Sequence, residues 1–228
     1  PAAAILPPRA HRPTLHIGVG GRRTIGHLAI VHPMTKSTRT PRAAGPSALP
    51  RLSARDTLYP LNVVYRRAGI AMPAWDTAPP DQIPSPYRSM LVHDDDMTST
   101  LERHYGGRVV LRALSTFFNG AWYFRRVLLV QESTGRPVEM GAIRIKLGVF
   151  APRMKATILK NEIPLGRVLA DGRFDYTSRV KDYLAITPNP EMMGVFWMRE
   201  ALTLYGRRTE IVHAGRKIGD IVEVLPQV

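Results

Sequence analysis

The fold is decided by residues 108–149, which read RVVLRALSTFFNGAWYFRRVLLVQESTGRPVEMGAIRIKLGV. Three runs in this stretch are rich in Val, Ile, Leu and aromatic residues: Arg108–Phe118, Trp122–Gln131 and Pro137–Val149. The runs are separated by Asn119-Gly120 and by residues 133–136 (STGR), and both separators are typical of hairpin turns. The stretch therefore predicts an antiparallel meander of three strands.

The segments around this meander predict short helices and further strands. Residues 73–86 carry several prolines and predict an extended connection instead. Strands in hairpins with helices between them indicate an α+β fold rather than the βαβ units of a nucleotide-binding fold. We expect helices at Leu58–Arg67, Tyr87–His93, Met97–Arg103 and Ile163–Leu169, and strands at Val180–Thr187, Arg207–His213 and Lys217–Leu225.

Three consecutive carboxylates, residues 94–96, precede the expected helix at Met97. An Asp directly before a helix is a good N-cap, and negative charge is favoured at a helix start. Adjacent carboxylates are also found in metal sites, but no histidine or further acid follows at ligand spacing. The pattern favours capping over metal binding.

Residues 1–50 differ in composition from the rest of the chain. They are rich in Pro, Ala and Arg and hold seven basic residues and no acid. We interpret them as a disordered basic extension, and residues 51–228 as the folded domain. The extension has the composition of a transit peptide, although its prolines would break an amphipathic helix; alternatively Met34 is the true start, an interpretation we prefer.

Composition also limits the classes of function. The chain has no cysteine, which excludes disulfides and thiolate chemistry. No run of about 18 apolar residues predicts a membrane span. Without residues 1–50 the net charge falls from +14 to +7, because 25 basic and 18 acidic residues remain. That charge suits an anionic small molecule, a nucleic acid or good solubility, and does not choose among them.

Two arginines in the middle strand must point to opposite faces. Residues 122–131 alternate around Arg125 and Arg126, and apolar side chains dominate both faces. At least one guanidinium therefore lies among apolar neighbours and needs a carboxylate or an anionic ligand. A structural ion pair and an arginine that reaches the surface are the plainer alternatives.

Glu223 poses the complementary problem in the last strand, because it shares a face with Ile221 and Leu225. Such a carboxylate either pairs with a base such as Arg125 or Arg144, or has a raised pKa and binds a ligand hydroxyl. An ion pair or an edge-strand charge without a role in binding remains the alternative.

Other catalytic constellations are not apparent. His93, His104 and His213 are too scattered in the sequence to predict a triad or a metal site, and no serine lies in a nucleophile-elbow context. We therefore predict neither a metal nor an organic cofactor. If the chain is an enzyme, it acts by enclosing and orienting a small anion.

Five segments, in this order, resemble the chorismate lyase family from about Leu58 to Pro226. Their joint order and spacing carry the resemblance, since a motif such as Pro-Leu-Gly is common by itself. The segments are residues 91–98 (LVHDDDMT) with Leu101-Glu102, residues 125–129 (RRVLL), residues 141–145 (GAIRI), residues 163–169 (IPLGRVL) and residues 205–209 (YGRRT).

This resemblance implies a six-stranded antiparallel sheet with helical flaps over an internal ligand cavity. It also implies elimination of pyruvate from chorismate to leave a hydroxybenzoate, expected to be the 4-hydroxy isomer, without a cofactor. Carried over by motif, Arg125 would hold the ring carboxylate, and the glutamate of the final strand, Glu223, would meet the ring oxygen. Backbone groups of Met97 and Leu165 would line the site, and Arg144 and Arg207 would help to hold the second carboxylate.

We expect a cytoplasmic monomer that acts on chorismate, and no nucleic-acid partner, because the sequence lacks the basic-aromatic interleaving of a base-stacking sheet. This sequence departs from the family pattern at one position, because a gap-free alignment puts Val222 where the family has its glutamate. Since a one-residue slip reverses the face of a strand, we expect a one-residue deletion or bulge that returns Glu223 to the cavity. The alternative function is a non-catalytic domain of the same fold that binds an aromatic carboxylate.

Overall fold

Antiparallel strand pairing dominates the computed structural model, which describes residues 57–228. One sheet holds seven strands in the order β1-β5-β6-β7-β4-β3-β2. All neighbouring pairs are antiparallel, which confirms the expected α+β class with a hairpin-built sheet. The strands are β1 (Ala74–Thr77), β2 (Val109–Asn119), β3 (Trp122–Gln131), β4 (Pro137–Lys146), β5 (Thr177–Thr187), β6 (Leu204–His213) and β7 (Arg216–Leu225). The predicted domain boundary between residues 50 and 51 lies outside the described residues.

The expected count of six strands is wrong by one, and the additional strand is β1. It lies in the stretch that its prolines predicted to be an extended connection, and it pairs with β5 from Ala74↔Thr187 to Thr77↔Leu184. Prolines flank β1 without interrupting it, and β1 lies at the edge of the sheet, where proline is tolerated. An extended conformation was therefore expected, but its pairing partner was not visible in the sequence.

Between residues 57 and 228, six α-helices accompany the sheet. They are α1 (Leu61–Ala68), α2 (Tyr87–Leu91), α3 (Met97–Tyr105), α4 (Pro152–Lys160), α5 (Leu165–Asp171) and α6 (Pro190–Val195). The four predicted helices are present as α1, α2, α3 and α5, whereas α4 and α6 were not predicted. Both missed helices begin with a proline at the first helical position, which is a recognisable start signal.

The two faces of the sheet are covered by different helices. The flap face, which carries Arg125, Val127 and Leu129, is covered by α2 and α3 over one half and by α4 and α5 over the other. The opposite face, which carries Leu128 and Val130, packs against α1 and α6. We predicted that both faces of β3, the middle strand of the meander, are covered. This is confirmed, since all residues of β3 except the two terminal ones are buried.

Helix α3 begins at Met97, where the three carboxylates at residues 94–96 predicted a helix start. Asp96 is the N-cap and accepts a hydrogen bond from the backbone N–H of Ser99 at 2.9 Å. Gly106 ends the helix with a φ of 65°. The preceding Asp95 forms an exposed ion pair with Arg103 instead.

Replacement of Asp96 by alanine is expected to lower the free energy of unfolding by about 1 kcal/mol, because one backbone N–H of the first turn loses its acceptor. Urea unfolding at neutral pH measures this loss. Asp95→Ala is the matched control and should cost less, since its ion pair is exposed to solvent and screened. Equal losses in the two variants would contradict the assignment of the cap to Asp96.

Candidate ligand-binding site

Arg125 lies on the flap face, near the middle of β3, and is only 1% exposed. Its Nη1 atom donates to Asn161 Oδ1 at 3.3 Å and to the Ile158 carbonyl at 3.5 Å, both long for hydrogen bonds. Within residues 57–228, no carboxylate forms an ion pair with Arg125, and its Nη2 atom has no hydrogen-bond partner. The structural ion pair considered from the sequence is thus not formed by Arg125.

Burial is the main influence on the charge of this guanidinium. It lowers the pKa of Arg125 from 12.5 to about 10, and Tyr123 acts weakly in the opposite direction. Arg125 therefore remains a cation at neutral pH, although it lies in an environment that disfavours charge. An anionic ligand beside it would compensate the charge that the described part of the protein leaves uncompensated.

A small cavity adjoins Arg125, between the sheet and the flap helices. Its volume is about 40 Å³, and its apolar wall includes Val127, Leu129 and Ile143. Thr98, Leu165 and Gly166 close it from the side of the helices. This volume holds only a few water molecules, whereas ligand pockets usually exceed about 300 Å³. A ligand can therefore enter only if the flap helices move away from the sheet.

The first turns of α3 and α5 meet over the cavity. Met97 and Leu165 are the first residues of these helices, and the cavity touches Leu165 and the neighbour of Met97, Thr98. A Cβ at Gly166 would lie 2.7 Å from Asp96 Oδ1, so the close approach requires a glycine. The Asp96 carboxylate thus lies at the N-termini of both helices and offsets their partial positive charge.

An ion pair joins the same two helices further along. Arg167 Nη2 on α5 donates to both carboxylate oxygens of Glu102 on α3 at 2.5 Å. Glu102 also accepts a hydrogen bond from the backbone N–H of Val109 at the start of β2. The flaps are therefore tied to each other and to the sheet by a partly buried contact that any opening of the cavity must accommodate.

Glu139 on β4 lines the cavity with Arg125 and was not singled out from the sequence. It is 4% exposed, and within the described residues its Oε2 atom has no hydrogen-bond partner. Burial, and then the neighbouring Glu223, raise the pKa of Glu139 well above its usual range, while Arg207 acts in the opposite direction. Burial and the neighbouring carboxylate therefore favour the neutral form of the Glu139 carboxyl group. A lone acid in the apolar run Val138–Ile143 is the same signal that identified Glu223.

Glu223 also lies on the flap face, but its partner is neither of the expected bases. Arg207 Nε donates to Glu223 Oε2 at 2.6 Å, and Arg207 Nη1 donates to the carbonyls of Leu91 and His93. Both side chains are almost fully buried. The structure thus brings Arg207 and Glu223 together beside Glu139 and engages them with each other, and neither is part of the cavity wall.

The strand register places Glu223 on the side of Arg125. Glu223 lies opposite Arg207 on β6 and Gly141 on β4. Val222 points the other way, into the core with α1 and α6. The pairing of β6 with β7 shifts by one residue between Ile211 and Val212, and Ile218 is the additional residue in β7. A bulge of this kind reverses the face of the residues that follow it.

The expected contribution of Arg144 to the site is not supported by its position. Its Nε atom donates to Asp220 Oδ2 at 2.6 Å on the opposite face of the sheet. The guanidinium also lies over the rings of Trp122 and Tyr59, at 4.0 and 4.3 Å from their centroids. Arg144 follows the cavity residue Ile143 directly, and strand alternation therefore turns it away from the cavity.

The cations and carboxyl groups around the cavity are not fully paired with one another. Arg207 and Glu223 compensate each other, burial favours the neutral form of Glu139, and Arg125 has no carboxylate partner among the described residues. Arg125 lies opposite Ile143, and Glu139 precedes Ile143 by four residues in the same strand. At about 3.3 Å per residue, the Cα atoms of Arg125 and Glu139 are therefore separated by about 13 Å along the sheet. The arrangement can hold a small monoanion that carries a polar group at its far end.

Two further features of the described residues bear on the class of protein. Residues 57–228 contain no group of three His, Asp or Glu side chains placed to hold a metal ion. None of the described helices has the length and the apolar character needed to cross a membrane.

Comparisons with known proteins show likenesses of structure at low sequence identity. No family model and no curated protein matches the chain. The effector domain of PhnF from Mycobacterium smegmatis is similar with a TM-score of 0.46 and 8% identity, over 60% of this chain and 91% of that domain. Full-length PhnF gives a TM-score of 0.43 and 10% identity, over 60% of this chain and 66% of its own.

A third similar structure is the C-terminal domain of the histidine utilization repressor from Pseudomonas syringae pv. tomato. It has a TM-score of 0.37 and 10% identity, over 52% of this chain and 92% of that domain. Because these scores and identities are low, none of the likenesses carries an argument about function. The function must be argued from the cavity and its residues.

Proposed function

We propose that residues 57–228 form a chorismate lyase-like domain that binds a cyclic carboxylate at Arg125 and eliminates pyruvate from chorismate. The observation that carries this proposal is the buried guanidinium of Arg125, which lines a cavity and has no carboxylate partner in the described part of the chain. A buried cation without a counterion is costly unless a ligand supplies the anion.

In this reaction, Arg125 holds the ring carboxylate through charge-assisted hydrogen bonds. The C–O bond to the enolpyruvyl group breaks, the ring loses a proton and becomes aromatic, and the released enolpyruvate takes up a proton to become pyruvate. Closed flaps exclude water and strengthen these interactions.

A second candidate function is binding of an aromatic monocarboxylate without turnover. The lining of the cavity favours it, because Arg125 is the one basic residue that touches the cavity within residues 57–228 and matches one carboxylate, whereas chorismate carries two. The engagement of Glu223 with Arg207 also favours it, since it leaves the glutamate expected to meet the ring oxygen already paired. Turnover of chorismate distinguishes the two functions.

Incubation of the full chain with chorismate is expected to release pyruvate, detected by a coupled dehydrogenase, and a hydroxybenzoate, detected by chromatography. Arg125→Ala should lower kcat/KM by about 30-fold or more, as expected when a charge-assisted buried contact of about 2 kcal/mol is removed. Arg126→Ala, in the same strand but paired with Glu191 on the opposite face, is the control and should retain activity wherever it remains folded.

The outcomes separate the candidates. Binding of 4-hydroxybenzoate that depends on Arg125, without any pyruvate from chorismate, would establish the second function and reject the first. If neither chorismate nor the hydroxybenzoate binds, or if Arg125→Ala binds as the unaltered protein does, the proposed site is wrong.

A further inference from the structure

Glu139 has no role in the site as carried over from family motifs, yet it occupies the cavity wall. The side chain is buried and shares the cavity with Arg125, and within residues 57–228 its Oε2 atom makes no hydrogen bond. A buried polar atom without a partner costs free energy unless a ligand or a water molecule satisfies it. The cavity is the space from which such a partner can approach.

The neighbouring ion pair explains why Glu139, and not Glu223, is available to a ligand. Arg207 is the cation nearest to both carboxyl groups, and its Nε atom is engaged by Glu223 at 2.6 Å. Its Nη1 atom is engaged by two backbone carbonyls. One arginine cannot compensate two buried carboxylates, so one carboxyl group of the three-residue cluster must remain neutral.

We propose that Glu139, as a neutral carboxyl group, forms a hydrogen bond with an oxygen atom at the end of the ligand opposite to its acid group. The inference rests on the proposed binding of a carboxylate at Arg125 and specifies the ligand further. The ligand class is a cyclic or aromatic carboxylic acid that carries a hydroxyl or ether oxygen on the far side of the ring. Glu139 thereby takes the contact that the family resemblance assigned to Glu223.

Calorimetric titration of the full chain with benzoate, 3-hydroxybenzoate and 4-hydroxybenzoate tests this contact. One of the two hydroxybenzoates should bind at least about tenfold more tightly than benzoate, since its hydroxyl satisfies a buried carboxyl group. Glu139→Met should reduce this ratio to near one, because methionine fills a similar volume without a hydrogen-bonding group. Glu139→Gln should retain the ratio, because a neutral amide also donates and accepts.

Glu132→Met, an exposed glutamate between β3 and β4, is the matched control and should leave the ratio unchanged. An unchanged ratio in Glu139→Met would overturn the role of Glu139 while leaving the Arg125 site intact. A ratio abolished equally by Glu139→Gln would also overturn it, since an ionised carboxylate would then be required. Absence of benzoate binding by the unaltered protein would reject the Arg125 site as well, so the two failures are distinguishable.

A measurement of stability without ligand tests the protonation of Glu139 separately. The charged groups that face this carboxyl are Glu223 on β7 and Arg207 on β6. Its folded-state pKa lies above the ordinary value of 4.5, so above about pH 4.5 the unfolded chain releases a proton that the folded protein retains. The free energy of unfolding should therefore fall as the pH rises from 5 to 8, with a smaller fall in Glu139→Gln. Parallel profiles for the two proteins would contradict a neutral Glu139.

Discussion

Arg125→Met is expected to stabilise the folded protein by about 1–3 kcal/mol at neutral pH and to abolish binding of aromatic carboxylates. Methionine fills a similar volume and removes a buried charge that has no counterion among the described residues. The substitution also removes the two long hydrogen bonds that Nη1 donates to Asn161 and to the Ile158 carbonyl, which are weak by their length. An increase in stability with a loss of binding is characteristic of a residue retained for function.

The pH dependence of this effect follows from the pKa of Arg125. Burial lowers that pKa from 12.5 to about 10, and each unit corresponds to about 1.4 kcal/mol against the charged form. Below about pH 10 the folded protein bears the full cost. As the pH rises from about 10 towards 12.5, the folded state loses the proton first and the cost diminishes. The stabilisation by Arg125→Met is therefore largest at neutral pH.

Arg126→Met is the matched control for this prediction. It occupies the next position of β3, but its guanidinium is paired with Glu191 and lies 5.4 Å from the ring centroid of Tyr65. Its removal leaves a partly buried carboxylate unpaired and should lower stability while leaving ligand binding intact. Urea unfolding at pH 7 and titration with 4-hydroxybenzoate measure both properties. If Arg125→Met lowers stability as Arg126→Met does, Arg125 is a structural residue and the proposed site loses its basis.

Arg207→Met is expected to have the largest destabilising effect, about 3–5 kcal/mol. Among the described residues, Arg207 is the single cation that compensates Glu223 and moderates the pKa of Glu139, and both carboxyl groups are buried. Removal of one partner of a buried ion pair leaves the other charge uncompensated, which costs far more than replacement of the whole pair by apolar residues. The double variant Arg207→Met/Glu223→Met should therefore recover most of the lost stability.

The sign of the pH dependence distinguishes this cause from simple loss of packing. In Arg207→Met, the buried carboxyl groups of Glu223 and Glu139 lose the neighbouring cation, so the folded protein disfavours their ionised forms. The stability of this variant is then greatest at acid pH and falls as the pH rises above the ordinary carboxyl range near 4.5. Urea unfolding at pH 5 and pH 8 should show a greater loss at pH 8. A loss independent of pH, or a double variant no more stable than the single one, would contradict the account.

Glu223→Gln should lower the free energy of unfolding much less than Arg207→Met, for a reason specific to the cluster of Arg207, Glu223 and Glu139. Removal of the Glu223 charge lowers the pKa of Glu139, since Glu223 is one of the two causes that raise it and Arg207 opposes them. Glu139 can then ionise and serve as the counterion of Arg207. The same urea unfolding series measures this difference.

Sequence patterns predicted the meander and the burial of at least one of Arg125 and Arg126 because both depend on local signals. The hairpin turns separate three apolar runs, and alternation alone requires one of two consecutive arginines to enter each covered face. Helix α3 was likewise predictable, since its N-cap Asp96 and its terminal Gly106 each lie directly beside the helix in the sequence. Helices α4 and α6 were missed although their initial prolines offered a start signal.

The partners of the buried charges were less accessible to sequence reasoning. Arg144 was expected at the site, and its pairing with Asp220 on the other face depends on a register between β4 and β7 that no local pattern encodes. Glu223 was expected to pair with Arg125 or Arg144 or to meet a ligand, and its partner is Arg207 instead. The unpaired carboxyl is consequently Glu139, whose neutrality depends on charges from two other strands.

By itself, the sequence determined that a guanidinium and a carboxyl group would be buried in an antiparallel sheet, because alternation and turn chemistry act over a few residues. Tertiary structure alone decided which buried charges compensate each other. A bulge at Ile218 sets the face of Glu223 and places it opposite Arg207 in the β6–β7 hairpin, whereas Arg125 has no carboxylate partner among the described residues. Ion pairing depends on distances of a few ångströms between side chains on paired strands, and these distances exist only once the strand register has formed.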